Sequence, residues 1–147
     1  VVERHQGTGN VACGFLKGYG IKAGAVALSI AHDSHNIIVV GVSDEEMEFA
    51  VNSLIAQEGG MVLVREGKVL ESMPMPIAGL MSDQSGEWVD EKLTAIHAKA
   101  YEELGIAGDV EPVMTLCFMS LAVIPEVKLT DMGLFDVTTF SFIPVEA

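Results

Sequence analysis

Residues 29–41 read Ser-Ile-Ala-His-Asp-Ser-His-Asn-Ile-Ile-Val-Val-Gly, a packet of five polar side chains between two almost wholly apolar runs. Apolar runs of this length, bounded by turn-forming residues, read as buried strands, here residues 25–31 and 37–40. The short gap between them rules out the long crossover of a parallel pair, so an antiparallel hairpin is expected. Buried polar groups are costly unless each finds a partner. His32, Asp33, Ser34, His35 and Asn36 must therefore satisfy one another in a turn or serve something outside the hairpin.

The rest of the chain alternates strand pairs with single helices. Residues 43–57 predict a helix. Ser43 and Glu46 form a capping box, Asp44 to Glu46 suit the positive end of the helix dipole, and Met47, Val51, Leu54 and Ile55 make an apolar stripe. Residues 61–65 and 68–73 predict a second hairpin turning at Glu66-Gly67. A second long helix is expected from residue 85 or 86 to 104, with Trp88 anchoring it to a sheet. Thr8 and Asn10 as caps, with Val11, Phe15, Leu16 and Tyr19 at helical spacing, predict a further helix over residues 8–20, against the tendency of its glycines. Residues 113–124 and 140–145 read as strands, and 128–136 between them as a turn-rich loop. This is an α+β pattern: a single domain with helices packed on a mainly antiparallel or mixed sheet.

Composition narrows the function. Twenty-one acidic against 8 basic side chains give a formal charge of −13 in 147 residues, which repels a phosphate backbone and argues against nucleic acid. The longest apolar stretch, residues 114–125, falls short of the roughly 20 residues that span a membrane. Half of the residues are hydrophobic and the mean hydropathy is +0.41, which predicts an apolar surface that docks on another domain or subunit, with the methionines from Met73 to Met81 as its expected location. Cys13 and Cys117 read as small buried hydrophobes of a reducing compartment, and no signal peptide is evident.

Chemistry alone leaves the polar packet open. His32 and His35 have metal-ligand spacing, but His5 and His97 lie far off in sequence, so a metal site built wholly from this chain is not expected. On chemistry alone the favoured reading is that His32, Asp33 and Asn36 bond one another and the turn backbone. Gly7-Thr8-Gly9-Asn10 reads as a flexible entry rather than an anion site, since it lacks the ending of a P-loop. Ser82 and Asp83 read first as a helix cap and second as further candidates.

The run from Glu3 to Gly41 (ERHQGTGNVACGFLKGYGIKAGAVALSIAHDSHNIIVVG), with SDEEM at 43–47, PIAGLMS at 76–82 and VIPEVKLTD at 123–131, resembles the C-terminal domain of bacterial adenine deaminases of the amidohydrolase superfamily. The resemblance covers nearly all of residues 1–147. It implies a parent hydrolase converting adenine and water to hypoxanthine and ammonia, with divalent metal (manganese or iron) held in an N-terminal barrel of roughly 250 residues that has no place in this chain. Opening on Val1 then reads as the tail end of a longer cytoplasmic protein. Under that resemblance the isolated chain is expected to be inactive, with its own N-terminal barrel domain as partner and a homo-oligomer as the assembly. His32, Asp33, Ser34, His35 and Asn36 become candidates that face the substrate or support those that do. The alternative is a structural or interaction module that never touches substrate.

Overall fold

Strands β1 (Ala25–Leu28), β2 (Ile38–Gly41), β3 (Gly60–Arg65) and β4 (Lys68–Pro74) form one sheet in the order β2-β1-β3-β4, every neighbouring pair antiparallel. This is a computed structural model, and it describes residues 1–145. Side chains alternate across a strand, and here both sets are buried. Ala25, Ala27, Val62 and Val64 pack with Ala50 and Leu54 of α1 (Asp44–Ala56). Val26, Leu28, Met61 and Leu63 pack with Ile96 and Ala100 of α2 (Gly86–Glu102) and with Leu116 of α3 (Pro112–Cys117). Helices on both faces explain why β1 and β3 read as continuous apolar runs. Beyond α3, strands β5 (Val127–Thr130), β6 (Gly133–Asp136) and β7 (Ser141–Ile143) form a second antiparallel sheet. The expected α+β class is therefore correct.

Local signals account for much of this. The Ser43 hydroxyl accepts from Glu46 N–H at the start of α1 (3.3 Å), as the capping box requires. Along α1, however, Ala50 and Leu54 carry the buried line, while Ile55 is exposed. Glu66 and Gly67 both take positive φ (53° and 67°), the backbone that a two-residue hairpin turn demands. Trp88 packs half-buried against the core beneath α2, and Lys92 of α2 pairs with Glu71 of β4 at 2.7 Å.

Four expectations fail at this level. Residues 8–20 form no helix, because Gly7, Gly9, Gly18 and Gly20 all adopt positive φ. Instead this stretch is an extended arm that folds back on the first residues, with Val2 bridging both Val11 and Ile37. Residues 113–124 are not a strand: Glu111 caps α3 with its side chain and Pro112 sits at the first helical position, where a missing N–H costs nothing. Residues 128–136 are not a loop but the β5–β6 hairpin. Cys13 is exposed; Cys117 is buried as expected, and burial pushes its thiol up to about 11.

Candidate functional site

The polar packet lies in the connection between β1 and β2, residues 29–37, and its base is set by Ser29. That buried hydroxyl accepts from Gly60 N–H (2.7 Å) and donates to the Gly79 carbonyl (2.5 Å), tying the loop to β3 and to the 75–81 turn. From there two distant segments hold the packet. The first is the N-terminal arm, which zips alongside through Val2 N–H to Ile37 O and Ile37 N–H to Val2 O (2.8 and 2.9 Å). Arg4 Nε donates to the His35 carbonyl (2.5 Å) and its Nη2 to the Ala78 carbonyl (2.9 Å). His5 Nε2 donates to the Ser34 carbonyl (2.7 Å). The second segment follows α3: His32 N–H donates to Cys117 O (3.0 Å), and the Ser120 hydroxyl donates to His32 O (3.3 Å).

Five neighbours in sequence thus separate into distinct situations. Asn36 points inward: it is buried, and its Oδ1 accepts from Arg4 N–H (3.3 Å). Of the five candidates it is the one turned into this domain. His35 sits at φ 52°, a left-handed conformation that His tolerates better than most residues. Its Nδ1 accepts from Ala31 N–H (3.2 Å), which leaves the proton of the neutral ring on Nε2. His32 is half-buried, its ring 5.3 Å from that of His35, edge to face. Asp33 and Ser34 are exposed at the tip. Asp33 Oδ1 stands 3.9 Å from His32 Nδ1, too far for a hydrogen bond.

Burial lowers the pKa of His35, and the neighbouring His32, Arg4 and His5 act in the same direction, against a smaller opposing pull from Asp33. The unfolded chain therefore binds a proton more readily than the folded one. Stability rises with pH up to the ordinary value near 6.5 and is lost as pH falls below it. Urea unfolding between pH 8 and pH 5 should show the midpoint dropping below pH 6.5, and His35→Asn should remove that part of the slope. An unchanged slope in the variant would assign the effect to another group.

The other sequence candidates lie apart from the packet. The Ser82 hydroxyl accepts from Gln84 N–H (3.1 Å) and Asp83 accepts from the Gln84 side chain (2.8 Å), a local turn ahead of the Ser85 cap of α2. In the glycine-rich entry the anion is the chain's own. The Glu3 carboxylate takes Gln6 N–H (2.7 Å) and Thr8 N–H (3.0 Å), and these bonds hold its pKa down to about 2. No three His, Cys, Asp or Glu side chains converge as a metal site among the described residues. Two shallow cavities flank the loop. One, of about 270 Å³, is lined by Asp33, Ser34, Ser120, Val123 and Asp131; the other, of about 200 Å³, by Arg4, Ser29 and Glu58. Ligand pockets generally start near 300 Å³. Neither cavity closes around a ligand by itself.

The family model described as the adenine deaminase C-terminal domain matches residues 1–141. The chain belongs to this family. It is 75% identical over all 147 residues to a protein named adenine deaminase 2 from Desulfotalea psychrophila, of which it covers 26%. Over 145 residues it is 53% identical to an adenine deaminase from Nitratidesulfovibrio vulgaris, covering 99% of this chain and 25% of that protein. An adenine deaminase from Halalkalibacterium halodurans is 52% identical over 143 residues, covering 97% of this chain and 24% of that protein. The chain spans about a quarter of the length of these relatives.

Membership in the adenine deaminase C-terminal domain family directs attention to the apolar surface. The expected location, Met73 to Met81, holds only in part: Met73 and Met75 are buried, while Ile77 and Met81 are exposed. More exposed apolar side chains gather on the arm (Val11, Phe15, Leu16) and around the second sheet (Val123, Met132, Phe140, Phe142). These two regions adjoin, since a Cβ at Gly14 would stand 3.2 Å from Leu134 Cδ2. Phe15 is 92% exposed, a cost that a covering surface would remove. Sequence reasoning missed Arg4 and His5 as parts of the site. The only signal for them was their place in the ERHQ motif.

Proposed function

We propose that this domain closes the active site of an adenine deaminase, its 32–36 loop laid over the mouth of a metal-bearing barrel contributed by the rest of the protein. The observation that carries this reading is what the loop leaves unused. Its backbone is held by Arg4, His5, Cys117 and Ser120, while among the described residues the Asp33 carboxylate and His35 Nε2–H take no hydrogen bond within the domain. A purine offers ring nitrogens and an exocyclic amine. A carboxylate accepts from the amine, and an N–H donates to a ring nitrogen.

The reaction is hydrolysis of adenine to hypoxanthine and ammonia. The divalent metal, manganese or iron, belongs to the barrel, where it activates the attacking water. This domain's share is to orient the purine and exclude bulk water. The apolar face of the arm and second sheet is where the domain seats against the barrel, or against another subunit in a homo-oligomer. The physiological setting is purine salvage in the cytoplasm, in keeping with an exposed cysteine and a second one buried and unpaired.

The chain alone, given adenine with manganese or iron, is expected to release no ammonia above buffer. In an adenine deaminase that carries this domain, amide exchange across residues 31–37 should slow when adenine is bound. Turnover by the chain alone would overturn the division of labour. Unaltered exchange would favour the second reading, an interaction module resting on its apolar face with no contact to substrate.

A further inference from the structure

We infer that Phe118 is the positioning residue for the His32 imidazole. The inference rests on the reading that the 32–36 loop faces the substrate. The Phe118 and His32 rings lie 5.0 Å apart, centroid to centroid, and only 19° from parallel. On either side of Phe118 the chain grips the backbone of His32: the Cys117 carbonyl accepts from His32 N–H (3.0 Å) and the Ser120 side-chain hydroxyl donates to His32 O (3.3 Å). Ring and main chain of His32 are thus fixed by one short stretch of the fold.

Phe118 has little else to do. It is half-buried and stands outside the groups of side chains that form or line the two hydrophobic cores, whereas Leu116, Cys117 and Met119 on either side belong to one of them. A phenylalanine whose stacking partner is a histidine and not the core serves the histidine's orientation. Stacking restricts rotation about the imidazole's second side-chain torsion, which is otherwise broad. One ring face is covered, and both nitrogens remain at the rim, where a ligand can meet them. The edge of His35 bounds the same ring on another side at 5.3 Å. His32 is thereby held in one plane before any substrate arrives.

The test uses an adenine deaminase carrying this domain, with Phe118→Leu, Phe118→Tyr, His32→Ala and the pair Phe118→Leu/His32→Ala. Carbon-labelled histidine lets the His32 ring be followed directly. In the parent its ring proton should lie upfield, shielded by the phenyl face; Phe118→Leu should release it downfield and Phe118→Tyr should restore it. Phe118→Leu should lower kcat about three- to ten-fold with little change in KM, and the effect should vanish in the His32→Ala background. A His32 resonance that ignores Phe118→Leu would overturn the inference. So would a kcat loss that persists without His32. Should His32→Ala leave kcat unchanged while the resonance still follows Phe118, the stack is real and the proposed role of the loop is what falls.

Discussion

In an adenine deaminase that carries this domain, His35→Asn is expected to lower kcat by a factor on the order of 10 to 1,000, with a melting temperature close to that of the parent. Asparagine suits the left-handed φ of 52° at this position, and its side-chain oxygen stands in for Nδ1 as the acceptor of Ala31 N–H. What it lacks is the outward Nε2–H. His35→Ala should lose as much activity and melt earlier as well. Ala31 N–H then goes without its acceptor, at about 1–3 kcal/mol, and alanine in this backbone conformation costs about 1 kcal/mol more. His32→Ala should fall in the same kinetic range with a smaller stability loss, its ring being half-exposed. Steady-state kinetics beside thermal melting separate the cases. Variants that melt much earlier while the surviving enzyme turns over normally would make the packet structural and end the case for substrate contact.

Gly60→Ala is expected to destabilise the domain by about 4 kcal/mol or more, a fall in Tm on the order of 15 °C. Gly60 opens β3 at φ 105°, where residues with a Cβ are strained, and a Cβ there would stand 2.0 Å from Met73 O on the neighbouring strand. The obstacle is the backbone of the paired strand β4, which cannot swing aside as a side chain could. Displacing Gly60 also breaks its bond to the Ser29 hydroxyl, and with it the base of the polar loop. Gly67→Ala is the control. It shares a positive φ (67°), but nothing lies within 4 Å of its Cβ, so only about 1 kcal/mol is expected. Equal losses at the two positions would mean that backbone conformation, not the close approach of β4, sets the cost.

Elements with a local cause were legible in the sequence. The Ser43 cap, the Glu66-Gly67 turn and the apolar runs of β1 to β3 each carry their reason within a few residues. Elements decided by competing signals were not. Helical spacing of Val11, Phe15 and Tyr19 lost to four glycines of positive φ. The β-compatible run after Pro112 became helical because its start was capped by Glu111, and chain beyond it turned away. The site was half legible. His32 to Asn36 announced themselves as polar residues among apolar ones, but nothing within the packet foretold that Asn36 turns inward. Nor could local spacing place Arg4, His5 and Phe118 there, since those contacts join segments that sequence holds far apart.

Those separations also order events in time. Arg4 reaches the loop across 31 residues and Ser120 across 88, whereas the β3–β4 hairpin closes on a two-residue turn. Contacts that close long stretches of chain must first overcome more entropy, so hairpins and helices form early and distant ties late. The polar loop needs both of its distant ties before its rings are fixed. The β1–β3 pairing closes as much chain as Arg4 does, so it is the Ser120 tie that is expected to form after the sheet, and the loop is expected to be fixed only once that tie is made.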